Sequence, residues 1–204
     1  MKTDHIHWLG HDGFRLDGPV TLYIDPYQIS GHLPPAGLIL ITHAHSDHCS
    51  PDDVKKIQGS DTVIVTVPAA AAKLTGAIKT VRPGDKLEVS GVLIEAVPAY
   101  NVGKRFHPKE AGNVGFIVTI GGQRLYHAGD TDVIPEMASF RVDIALLPVS
   151  GTYVMTAKEA VEATQVIRPK LVIPMHYGTI VGSDEDAKYL AQHSGIETLI
   201  LKKE

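Results

Sequence analysis

The 204-residue chain sets 19 basic against 23 acidic side chains, a net charge of −4, so its overall charge draws it neither to nucleic acid nor to an anionic membrane. Hydrophobic content of 44% with 21% charged residues fits a globular protein and excludes a disordered or fibrous one. One cysteine excludes an internal disulfide, and with no apolar run near ~20 residues and no signal-type N-terminus the expectation is a cytoplasmic protein, residues 1–204 forming one domain.

In chain order, β-branched and apolar runs at 21–24, 38–41, 62–67, 92–97, 114–120, 124–126, 144–147, 171–173 and 198–200 predict nine strands. Three helices carry start signals. Ser50-Pro51-Asp52-Asp53 offers an N-cap serine, a proline in the first helical position and acid in the first turn. Thr156 and Glu159 form a capping box for a helix reaching Ile167 before Pro169, and Ser183-Asp184-Glu185-Asp186 opens another ending near Gly195. Gly121-Gly122 suits a tight hairpin turn between two of the strands. Strands paired early and alternating with helices later predict a layered α/β domain.

The densest chemistry lies in THAHSDHCS, residues 42–50, directly after the apolar run Gly37–Ile41. If that run is a buried strand and Ser50 caps the next helix, residues 42–49 form a strand-to-helix loop, where side chains stay accessible on a rigid base. His43 and His45, at i and i+2 of an extended segment, project to one side and can meet one ion. Asp47 and His48 follow as the chain turns, which aims them at a second. Nitrogen and oxygen donors at this spacing suit zinc, manganese or iron. A lone loop histidine is usually solvated, but four candidate ligands in six residues otherwise cost mutual repulsion and desolvation.

H-x-H-x-D-H after an apolar strand resembles the signature of the metallo-β-lactamase superfamily. WLGHDGFRL near the start, YIDPY at 23–27, PAYN followed by FHPKEAGNVGF, YHAGDTD at 126–132, LLPVSGTYVMTAKEA and IPMHYGTI at 173–180 together resemble its small metal-dependent hydrolases, related to the L-ascorbate-6-phosphate lactonases. The resemblance implies a four-layer αββα sandwich with a metal pair in a cleft at one edge of two sheets. It places His43, His45, Asp47 and His48 in the first ligand cluster, makes Asp130 the carboxylate that bridges both ions, and gives His176 to the second ion with Asp47 and His48. The third ligand of the first ion is open at this stage. Asn101 stands where the family has a histidine, and asparagine is a poor zinc ligand, so His107 is the candidate if its loop folds back.

Asp25 resembles the family aspartate that orients ligand histidines, as ligating imidazoles need. His11 and His127 sit at comparable strand ends and read as hydrogen-bonded structural residues; His5, His7, His32 and His193 carry no distinguishing spacing, and Cys49 reads as an inert small hydrophobe. The loop 101–109 brings Lys104 and Arg105, and the segment 148–156 brings Tyr153, as contacts to substrate or to the ligands. The expected function is hydrolysis of an ester, lactone or phosphodiester bond in a small anionic substrate by hydroxide activated between two divalent ions, foremost Zn2+ with Mn2+, Fe2+ or Ni2+ as alternatives. Asp47 and Asp130 are the expected catalytic residues. A phosphodiesterase of the tRNA-processing type and a non-catalytic metal-stabilised binding domain stand as alternatives, although the chain shows no basic arm for nucleic acid. A redox di-iron centre would carry glutamate where His45 stands. No membrane partner is expected, and self-association is left open.

Overall fold

The computed structural model describes residues 2–204. Two mixed sheets carry the fold. The first runs in the order β1 (Ile6–Gly10), β2 (Gly13–Leu16), β3 (Leu22–Ile24), β4 (Ala36–Ile41), β5 (Gln58–Thr66) and β6 (Ala77–Thr80). The second contains β7 (Lys86–Val89), β8 (Val92–Pro98), β9 (Val114–Ile120), β10 (Gln123–His127), β11 (Ile144–Pro148), β12 (Leu171–Met175) and β13 (Glu197–Thr198), each beside the next. Each sheet begins as an antiparallel meander and continues as a parallel run, β3 to β6 in one and β10 to β13 in the other.

The helices are α1 (Pro51–Ile57), α2 (Pro68–Ala71), α3 (Ala157–Ile167) and α4 (Asp184–His193). Their starts obey the sequence signals. Pro51 opens α1 after Ser50, and Thr156 and Glu159 close a reciprocal box on α3, with Thr156 N donating to Glu159 Oε2 at 2.7 Å. Helices α3 and α4 pack on each other and over β11, β12 and β13. Between β9 and β10, Gly121 and Gly122 sit at φ +58° and +78°, the left-handed pair a two-residue hairpin turn demands. The observed architecture, two sheets with few helices, is that of the metallo-β-lactamase fold.

Eight of the nine expected strands form; the last, 198–200, shares only Thr198 with the short β13, and thirteen strands are present among the described residues. Strand β1 is interrupted by His7 and Gly10 and the four-residue β2 by Arg15; β6 and β7 lie at sheet edges and carry Lys79, Lys86 and Glu88, so neither pair reads as a buried run. The unbroken apolar runs β4, β11 and β12 belong to the parallel halves, where burial on both faces favours such sequence, while the antiparallel β9 reads clearly from its β-branched residues. That same parallel arrangement positions the site, because the carboxyl ends of β3, β4, β10, β11 and β12 all open toward one region.

Candidate metal centre

Four segments bring donors together where those strand ends meet. Strand β4 delivers residues 42–48, β10 delivers Asp130, β12 delivers His176, and the β8–β9 connection folds back so that Asn101 N donates to His107 O at 2.8 Å. His43 Nε2 and His107 Nε2 lie 3.0 and 2.9 Å from His45 Nδ1. On the other side, His48 Nε2 and His176 Nε2 lie 3.2 and 3.5 Å from Asp130 Oδ1. The second oxygen of Asp130 faces the first group, 3.3 Å from His107 Nε2 and 4.0 Å from His43 Nε2. One carboxylate thus divides its oxygens between two clusters. Gly129, at φ +61°, makes that approach feasible, since a Cβ there would come within 3.1 Å of both the Thr42 side chain and Val114 O.

His43, His48, His107 and His176 each have one nitrogen committed outside the cluster, whereas His11 Nδ1 is buried without a partner. Asp25, at the end of β3, accepts from Thr42 N and Thr42 Oγ1 at 2.8 and 2.6 Å and holds His48 Nδ1 at 2.8 Å. Thr42 Oγ1 reaches His43 Nδ1 at 3.0 Å, Ser150 Oγ reaches His176 Nδ1 at 2.8 Å, and Tyr153 O holds His107 Nδ1 at 3.1 Å. Such partners fix ring orientation and leave Nε2 free for an ion. Asp47 is the least enclosed of the carboxylates, its side chain 26% exposed; His11 Nε2 holds its Oδ2 at 3.2 Å, and His48 Nε2 lies 3.8 Å away. His127 Nε2 donates to Asp12 O, a structural role as expected.

Asn101 does not enter the cluster. Its amide donates to Phe106 O and Tyr153 O, which clamps the loop that presents His107. The ammonium of Lys104 is taken by Asp132 and Val154 O, so it ties the 101–109 and 148–156 segments together and is not free for a substrate. Arg105 lies 5.8 Å over the Phe106 ring, and Phe106 meets Tyr153 edge-on at 4.7 Å; both aromatic rings are exposed. Sequence reasoning did not single out Ser150, Asp132 or Asp12. Asp12 follows His11 in the β1–β2 turn and is fully buried.

The electrostatics separate the clusters. Burial, reinforced by neighbouring imidazoles, holds His43 well below the usual histidine range, and burial also lowers His107. Burial acts the same way on His48 and His176, but Asp130 and further carboxylates outweigh it and raise both, His176 to about 9. For Asp130 the burial penalty is overcome by His48 and His176, which hold it well below the carboxylate range. Asp47 is lowered as well, its partial burial offset by the His11 hydrogen bond and by His48.

The residues fit metal ions. His48 Nε2, Asp130 Oδ1 and both oxygens of Asp12 are buried without a hydrogen-bond partner, and buried polar atoms are otherwise almost always satisfied. Donors bound to one ion at about 2.0–2.2 Å stand roughly 3–3.5 Å apart, which matches the separations above except the 4.0 Å between His43 Nε2 and Asp130 Oδ2 and the 3.8 Å between His48 Nε2 and Asp47 Oδ2. Backbone strain is concentrated here too. Among the described residues eight non-glycine residues have positive φ, and five of them (His11, Asp25, His107, Tyr153, His176) border the site, as strained residues at functional sites do.

Comparisons with known proteins identify the family. A family model described as Beta-lactamase superfamily domain matches residues 5–176. A UPF0173 metal-dependent hydrolase of Thermoplasma acidophilum is 34% identical over 98% of this chain and 96% of its own length, and one of Pyrococcus abyssi is 35% identical over 85% and 84%. The crystal structure of a protein described as a metal-dependent hydrolase from Parabacteroides distasonis superposes with a TM-score of 0.84 at 35% identity, covering 97% of this chain and 93% of that one. The chain belongs to the metallo-β-lactamase superfamily and, within it, to the UPF0173 metal-dependent hydrolases.

Proposed function

We propose that this metal-dependent hydrolase works with a pair of divalent ions on an ester, lactone or phosphodiester bond of a small anionic substrate. The observation that carries the reading is the division of Asp130 between two donor sets, one oxygen to each. His43, His45 and His107 would hold one ion, Asp47, His48 and His176 the other, with Asp130 shared. An imidazole set suits Zn2+ first, with Mn2+, Fe2+ and Ni2+ as alternatives. Ions held there supply Lewis acidity and a water whose pKa falls from about 15.7 toward 7.

The chain's own groups do the rest. Asp25, Ser150 and Tyr153 O fix the imidazoles, so that no reorganisation is needed when substrate arrives. Asp47 is partly exposed and held ionised, which equips it to accept a hydrogen bond from the attacking water and orient it from the solvent side. At the mouth, Arg105 offers the cation for a substrate anion, and the exposed Phe106 and Tyr153 rings form the adjacent wall.

Metal analysis of the purified protein together with a panel of phosphodiesters, lactones, thioesters and amides tests the reading. The expected result is two ions per chain and hydrolysis that chelation abolishes and metal restores. Two bound ions with no turnover across the panel would instead identify a metal-stabilised binding domain.

A further inference from the structure

Asp12 lies in the two-residue turn between β1 and β2, outside the H-x-H-x-D-H loop. Its side chain is wholly buried and neither oxygen meets a hydrogen-bond donor. Such a carboxyl is retained in a protein interior either protonated, which burial favours here by raising its pKa, or as a carboxylate set against a cation. No lysine or arginine pairs with it. Its Oδ2 lies 3.6 Å from His48 Nε2, and one donor atom from each of His11, Asp12, His48 and His176 falls within 4.8 Å of the others. His48 and His176 have their Nδ1 atoms occupied by Asp25 and Ser150 and turn Nε2 into the same space. Asp47 is farther from His48 Nε2, at 3.8 Å, and has one oxygen occupied by His11.

We propose that Asp12 is a direct ligand of the second ion, completing with His48, His176 and Asp130 a buried set of two nitrogens and two oxygens, to which Asp47 adds from the solvent side. This rests on the two-ion reading above. It makes the second site richer in carboxylate than the first, so its preference shifts toward oxygen-loving ions such as Mn2+ relative to the three-imidazole site. Asp12 is a positioning and binding group for the ion; bond breaking is left to the groups at the mouth.

The test is metal binding to Asp12→Asn and Asp12→Ala, measured by calorimetry and by metal content after loading with Zn2+ or Mn2+, with melting followed in chelator. The wild type is expected to hold two ions, and both variants to keep the first and weaken the second by about tenfold to a hundredfold or more, the loss larger for Mn2+ than for Zn2+. In chelator the variants should melt at or above the wild-type temperature, because an uncompensated buried carboxylate has been removed. Retention of both ions at wild-type affinity by either folded variant overturns the proposal. If the wild type holds only one ion, the two-ion reading fails, and Asp12 is then judged by whether that single ion is weakened in the variants. Should one variant fail to fold even in chelator, the other decides.

Discussion

At one end of the centre, His43, His45 and His107 bring three imidazoles together with a single carboxylate oxygen, and His45 is exposed. At the other, His48 and His176 share a sealed space with Asp12 and Asp130, and Asp47 closes it from the solvent side. Identical side chains behave oppositely at the two ends. Burial lowers His43 and His107, while the carboxylates override burial to raise His48 and His176. The sealed end therefore demands positive charge, from protons or from an ion, whereas the open end offers neutral nitrogen lone pairs. The contrast teaches that the two donor clusters differ in charge and access, the imidazole end being the one that opens to solvent.

The strongest way to break this contrast is to remove what both ends share. Asp130→Ala deletes the carboxylate that reaches both clusters, and both ions should be lost or weakened. Hydrolysis is expected to fall by at least a hundredfold, since even partners one shell further out cost about 10–100-fold. Metal content measured beside turnover checks it; a variant that keeps both ions at full affinity would show that the ends do not depend on a common bridge.

His107→Ala probes the open end alone. It removes one of three imidazoles and leaves every group around His48 and His176 in place, so one ion should be lost and the other kept. Loss of both would mean that the ends cannot be separated. Full retention of two would return His107 to a substrate-facing role.

Asp25→Asn acts through His48 without touching an ion. It exchanges an acceptor carboxylate for an amide at His48 Nδ1 and Thr42, and a loss of about 10–100-fold in metal affinity is expected, mainly at the sealed end. An equal loss at both ends would show that Asp25 serves His43, through Thr42, as much as it serves His48.

The same contrast explains what could be read from the sequence. The first cluster lies in one nine-residue stretch, and chain spacing alone forecast the side on which His43 and His45 project. Asp130 and His176 were legible through HAGDTD and IPMHYG, motifs that carry the family resemblance, and each lies just past a strand, β10 or β12, whose carboxyl end opens on the site. His107 was legible only as a candidate, because delivering it depends on a loop closed by Asn101 and on a backbone at φ 56°. Asp12 was not legible. It sits in a hairpin of the antiparallel half, beside a histidine that reads as structural, and only three-dimensional packing reveals that its oxygens lack donors. Lys104 misleads in the opposite sense, a loop cation that looks available until Asp132, distant in sequence, is found against it.

A buried carboxylate satisfied by protein groups gives the mildest and sharpest control. Asp53, at the start of α1, is as enclosed as a ligand but accepts from Gln28 N at 2.8 Å, Ser50 Oγ at 2.7 Å and Lys56 Nζ at 2.7 Å. Burial alone would raise it, yet those donors hold it below the usual carboxylate range. Its folded pKa is depressed, so the stabilisation it gives is fully present above the ordinary aspartate pKa of 3.8 and is lost as pH falls through the folded value. Asp53→Asn keeps most of the shape and should cost roughly 1–2 kcal/mol near neutral pH, a fall in Tm of a few degrees, with the difference from wild type shrinking in acid. Metal content should not change. If Asp53→Asn altered metal binding as strongly as substitution of Asp12, carboxylate burial by itself, and not the direction in which the oxygens face, would be what couples this fold to its ions.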